Sequence, residues 1–101
     1  MIKLNNYAKE LESRKGSRWF QWKVFVDAPS GELGSIEEVT YTLHPTFPNP
    51  IQIRKEKTNK FALESSGWGE FTIRADIHFR DGHEETLTHW LNLEAEWPIN
   101  D

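Results

Sequence analysis

No cysteine occurs among the 101 residues. That excludes disulfides, thiolate nucleophiles, Cys-ligated zinc and iron–sulfur clusters, and a small domain without such staples must rest on its core. No apolar run approaches the ~18 residues a membrane-spanning helix needs. The N-terminal stretch Met1-Ile2-Lys3-Leu4-Asn5-Asn6-Tyr7 carries no apolar signal segment. A basic surplus is also missing: 12 Lys and Arg stand against 16 Asp and Glu, for a formal net charge of −4. Domains that grip nucleic acid over a broad face are usually strongly basic, so neither nucleic acid nor a membrane is expected as partner. A basic or neutral partner suits this charge better. These absences predict a soluble, cytoplasmic chain.

What is present is period-2 alternation. Phe20, Trp22, Val24 and Val26 share one face of a stretch whose other face carries Gln21, Lys23 and Asp27. Phe71, Ile73, Ala75, Ile77 and Phe79 alternate with Glu70, Thr72, Arg74, Asp76 and His78, and Leu87, His89, Leu91 and Leu93 repeat the pattern. A further stretch, Ile36 to His44, places Val39, Tyr41 and Leu43 together. Successive strand side chains point to opposite faces, so each stretch predicts a half-buried strand. Weaker strands are expected near Ile51-Gln52-Ile53 and Phe61-Ala62-Leu63, and Ala8 to Glu12 fits either a strand or a helical turn. Pro29 to Gly34, the prolines 45, 48 and 50, and Asp81-Gly82 supply the turns. The chain reads as one all-β domain, an antiparallel β-sandwich spanning residues 1–101.

Two loops carry more chemistry than a connector needs. Leu43-His44-Pro45-Thr46-Phe47-Pro48-Asn49-Pro50 is stiffened by proline and presents an imidazole, a hydroxyl and an aromatic ring. Ser65-Ser66-Gly67-Trp68-Gly69-Glu70-Phe71 sets a Trp between two glycines. Glycine permits close backbone approach and positive φ, so Trp68 is expected to be displayed. Together these residues fit a small aromatic slot with a polar floor.

The two loops resemble the signature loops of YEATS domains. The likeness extends to Trp22-Lys23-Val24-Phe25-Val26 and to Ile36 through Leu43, covers roughly residues 19–93, and keeps motif order and spacing. The short Thr-Phe-Pro form of the first loop resembles the prokaryotic branch. The resemblance implies an immunoglobulin-like β-sandwich that needs no cofactor and binds acylated lysine, of acetyl or crotonyl type, in an open-ended aromatic channel. It implies Phe47 and Trp68 as channel walls, with His44 and Thr46 lining the floor. The Thr46 hydroxyl would bond the ligand amide, and the Trp68 backbone N–H would donate to the acyl carbonyl. Gly67, Gly69 and Phe71 would shape the second loop. Where the family often has a further channel aromatic, counting places Arg18, with Trp19 and Phe20 beside it; Trp19 is the ligand-binding candidate.

Other classes find less support. Ser65 and Ser66 lack a nucleophile-elbow context and no Ser–His–acid order stands out, so no catalysis is expected. His78 and His89 fall on opposite faces of their sheet and His83 in a turn, which argues against a metal site. The alternative to a reader is an accessory or protein–protein interaction domain of a prokaryotic protein that leaves the channel unused, through exposed edges or the acidic segment Glu94-Ala95-Glu96-Trp97. Basic clusters at Arg14-Lys15 with Arg18, and at Arg54-Lys55 with Lys57 and Lys60, read as edge protection.

Overall fold

The computed structural model describes residues 2–14 and 17–98. Seven strands follow in order: β1 (Lys3–Arg14), β2 (Ser17–Asp27), β3 (Ile36–Thr42), β4 (Ile51–Arg54), β5 (Leu63–Gly67), β6 (Thr72–Phe79) and β7 (Glu84–Trp90). A single helical turn, Ser30–Leu33, links β2 to β3, and a 3₁₀ turn, Lys57–Asn59, links β4 to β5. The strands form two antiparallel sheets, one ordered β1-β2-β5 and the other β4-β3-β6-β7. The fold is the β-sandwich that the alternation predicts.

The register explains the core. Leu4↔Val26, Asn6↔Val24 and Ala8↔Trp22 place one face of β1 and β2 inward, while Val39↔Ile77 and Tyr41↔Ala75 do so for β3 and β6. Trp22, Val24, Val26, Val39, Tyr41, Ile73, Ala75 and Ile77 are all at 0% exposure. Each large apolar side chain so buried contributes about 1.5–3 kcal/mol. Asp81-Gly82 closes the β6–β7 hairpin with Gly82 at φ 95°, a conformation that favours glycine.

Two local readings, at Phe61-Ala62-Leu63 and at Leu87 to Leu93, need correction, and the open one at Ala8 to Glu12 resolves as strand. Ala8 to Glu12 lies within the longest strand, which starts at Lys3. The weak strand expected at Phe61-Ala62-Leu63 is displaced to Leu63–Gly67, because Lys60 and Phe61 turn left-handed at φ 60° and 58°. That turn is held by the fully buried Phe61 ring and by the Tyr41 hydroxyl, which donates to the Phe61 carbonyl at 2.7 Å. The strand containing Leu87 begins earlier, at Glu84, and ends at Trp90; Leu91 and Leu93 lie beyond it, although Leu91 remains buried. Phe25, on the solvent side of β2, is only 5% exposed, because Tyr7 packs on it at 5.0 Å and the Lys60 ammonium lies 5.7 Å from its ring centre.

One polar clip joins the sheets. Asn6 is 1% exposed. Its Nδ2 donates to the Asn92 carbonyl at 2.8 Å, and its Oδ1 accepts from His89 Nε2 at 2.7 Å and from the Asn92 N–H at 3.1 Å. Further on, the Ala8 N–H donates to the Ala95 carbonyl at 2.8 Å. The segment after β7 therefore lies along the outer edge of β1. This leaves β5 and β4 on the opposite side of the sandwich.

Candidate functional site

Two loops converge at one end of the sandwich. There the β3–β4 loop meets the β5–β6 loop beside the start of β2. Between them lies a cavity of about 670 Å³, bordered by Trp19, His44, Thr46, Phe47, Trp68 and Phe71, with Gly67 and Gly69 also in its wall. Pro48, Ser66 and Glu70 complete the lining.

The aromatic wall grows out of the core. Trp22, fully buried, meets Phe47 edge-on at 6.3 Å and Phe71 at 5.9 Å. Phe47 and Phe71 touch each other at 5.3 Å, and the His44 ring stands 6.3 Å from Phe71. Edge-to-face packing of this kind favours one mutual orientation, so the half-buried walls are braced from below. Trp68, in contrast, is 71% exposed at the rim.

Hydrogen bonding ties together the two exposed polar side chains of the first loop. The Thr46 N–H donates to His44 Nδ1 at 3.2 Å, so that nitrogen carries no proton and the neutral ring holds its proton on Nε2. The Thr46 hydroxyl, 2.9 Å from the same nitrogen, then donates to it as well. Its oxygen keeps lone pairs with which to accept. The arrangement offers an acceptor to a ligand N–H between apolar walls.

Glu70 closes the rim. Its Oε2 accepts from the Leu93 N–H at 2.9 Å and its Oε1 from the Trp90 indole N–H at 3.3 Å. Sequence reasoning put Glu70 in the second loop and on the polar side of the stretch that follows, but did not name it among the site residues. A carboxylate one residue before Phe71 carries no pattern that would reveal it. Nor does either loop glycine use the freedom first assigned to it. Among the described glycines the positive φ is at Gly82, and a Cβ at Gly69 would meet nothing within 4 Å. At Gly67 a Cβ would stand 3.9 Å from the Phe47 ring, which marks where the two loops meet.

The residues around Trp19 separate clearly. Trp19 borders the cavity, whereas Arg18 forms a two-pronged pair with Glu10 at 2.9 and 3.0 Å. That contact holds the Glu10 carboxyl below its usual range, mainly through the hydrogen bonds and also by charge. Phe20 points inward. Lys15, of the first basic cluster, lies outside the described residues. The histidines are dispersed: His78 faces Thr40 on the outer sheet surface, His83 stacks on Phe79 at 4.1 Å, and His89 binds Asn6 inside.

The description of the prokaryotic YEATS domain matches residues 20–92. The chain belongs to the YEATS domain family. Protein AF-9 homolog of Eremothecium gossypii is 38% identical over 73 residues, which cover 70% of this YEATS chain and 34% of that protein. Protein AF-9 of Homo sapiens is 30% identical over 86 residues, 78% of the chain and 15% of that protein. The chain thus spans about a third, or less, of the curated relatives it matches. Two solved structures share its architecture. The Yaf9 YEATS domain bound to H3K27ac superposes with a TM-score of 0.74 at 28% identity, covering 93% of this chain and 73% of that one. The Yaf9 YEATS domain recognizing an H3K122suc peptide gives 0.74 at 27% identity, covering 93% and 75%. The sandwich is therefore the immunoglobulin-like one of YEATS domains, and solved members of the family bind acylated histone peptides.

Proposed function

We propose that this YEATS domain is a non-catalytic recognition module that takes an acylated lysine side chain, of acetyl or crotonyl type, into the cavity between its two loops. The observation that carries the reading is the pairing of aromatic walls with the His44–Thr46 floor. Acylation removes the lysine charge, so the group enters an apolar slot without burying an ammonium. The amide that remains needs one acceptor and one donor. Thr46 Oγ1 is the acceptor, and the Trp68 backbone N–H is the donor. Phe47 and Trp68 flank the acyl chain, Phe71 and Trp19 bound the slot, His44 orients Thr46, and Gly67 and Gly69 keep the second loop slender. A planar unsaturated acyl group can lie against the ring faces. Two added carbons are worth roughly 1.5 kcal/mol at about 0.8 per buried methylene, or about tenfold in affinity.

The test is an amide-shift titration by NMR with acetyl- and crotonyl-lysine peptides, using unmodified lysine as control. Saturable shifts around Phe47 and Trp68, absent with unmodified lysine and abolished by Phe47→Ala and Trp68→Ala, support the reading. Binding that survives both substitutions sinks it and favours an interaction surface elsewhere on the domain.

A further inference from the structure

Two sheets leave four edge strands among the described residues: β1, β5, β4 and β7. An edge strand presents unpaired N–H and C=O groups to any extended chain that approaches, and folds usually blunt this with proline, lysine, charge or a covering segment. Three of these edges are blunted. β1 is overlaid by the segment after β7, through the Ala8–Ala95 bond at 2.8 Å and a parallel bridge to Glu96. β4 is four residues long, follows Pro50 and runs into Arg54-Lys55, and the Arg54 guanidinium donates to the Ile53 carbonyl at 2.9 Å. β7 opens on Glu84-Glu85 and ends on the bulky Trp90.

Among the described residues β5 shows neither proline, lysine nor a covering segment. Its sequence, Leu63-Glu64-Ser65-Ser66-Gly67, holds no proline and no basic residue, and it pairs on one side only, with β2. Its one charge, Glu64, is hydrogen-bonded by the Gln21 side chain at 3.3 Å. The small side chains of Ser65, Ser66 and Gly67 let another strand approach to the usual spacing of about 4.8 Å. This edge also leads to the cavity: Ser66 and Gly67 line it, and Trp68 follows at once. An open strand edge is a liability unless it is used.

We infer that the free edge of β5 is a rail for the ligand's main chain. While the acylated side chain occupies the cavity, the extended segment flanking it adds to the sheet as a strand beside β5. Alternate residues of an edge strand turn their N–H and C=O outward, so the rail reads main chain rather than flanking side chains, as in strand addition generally. This rests on the acyl-lysine reading and extends it from one side chain to a stretch of peptide.

Three probes separate the two ideas. The first is a single capped residue, Nα-acetyl-Nε-crotonyl-lysine methylamide. The second is a seven-residue peptide with crotonyl-lysine among Gly, Ser and Ala. The third is the same peptide N-methylated at one or the other alternating set of flanking amides. Calorimetry is expected to show the plain peptide binding at least about tenfold tighter than the single residue, the gain that two or three main-chain hydrogen bonds supply. Methylation of one set should erase that gain and methylation of the other should not. The β5 amides should also exchange more slowly in the peptide complex. Equal affinity of residue and peptide, or equal effects of both methylation sets, overturns the rail while leaving the cavity reading intact. A dimer of the domain paired through β5 in sedimentation overturns it too. If neither the residue nor the peptide binds, the cavity reading fails and the rail fails with it.

Discussion

Replacing Asn6 with Ala removes a side chain that is 1% exposed and holds three hydrogen bonds across the sandwich, to the Asn92 carbonyl, the Asn92 N–H and His89 Nε2. A net hydrogen bond is worth about 1 kcal/mol. Water can take over part of the load at the exposed Asn92, so the expected loss is about 2–3 kcal/mol. That is a large share of the roughly 5–15 kcal/mol a domain holds in reserve. Urea denaturation followed by fluorescence should show a midpoint lowered by about 1–2 M with the slope unchanged. The clip also has a pH signature. Burial pushes the His89 pKa below its ordinary 6.5. The neutral ring therefore contributes its stability above pH 6.5, where folded and unfolded chains both leave it uncharged. Below that the unfolded chain takes up the proton first, and the contribution is lost as pH falls through the folded value. Asn6→Asp sets a carboxylate against Nε2 and should raise the His89 pKa. The dependence then reverses: the ion pair stabilises below pH 6.5 and is lost as pH rises through the elevated folded value. The difference in stability between Asn6→Asp and the native chain should thus shrink on going from pH 8 to pH 6. A loss under about 0.5 kcal/mol for Asn6→Ala, or parallel pH profiles for Asn6→Asp and the native chain, would refute the reasoning.

Thr46→Val keeps the shape of an exposed loop residue, so stability should change by no more than about 0.5 kcal/mol. Acyl-lysine peptide affinity should fall about 5- to 100-fold for want of an acceptor, while Thr46→Ser restores it; calorimetry alongside thermal melting separates the two effects. Tyr41→Phe leaves the buried Phe61 carbonyl without its donor and should cost about 1–3 kcal/mol. Hydrogen exchange should quicken at the Val26 N–H, which bonds to the Lys60 carbonyl at 3.0 Å, if the left-handed turn depends on that hydroxyl.

The strands with one continuous apolar face were legible, because Trp22-Val24-Val26 or Ile73-Ala75-Ile77 can satisfy burial in only one register. β1 was not. Its inward face reads Leu4, Asn6, Ala8, and an asparagine breaks the pattern. Asn6 is tolerated inside because its partners arrive from residues 83 and 86 positions away, a pairing that local sequence does not announce. β5 was hidden for a related reason: its serines have no periodic signal, while the apolar Phe61 beside it drew attention to a turn. At the cavity, the loop composition suggested an aromatic slot with a polar edge. What it did not suggest was the direction of the Thr46 hydroxyl, which depends on a backbone N–H reaching His44. The role of Glu70 as a tie to Trp90 and Leu93 exists only once β6 and β7 are paired.

The direction of the last segment has a practical consequence. β1 runs from Lys3, opposite Asp27, towards Leu11, opposite Trp19 at the cavity end. The segment carrying Glu96 runs parallel to it, with Trp97 beneath the Lys9 ammonium at 4.6 Å. Residue 98 is therefore heading towards the cavity, whereas residue 2 lies at the far end of a molecule 48 Å long. A tether at the N-terminal end holds the loops away from a sensor surface. A dye attached at residue 98 stands nearer the mouth than one attached at residue 2.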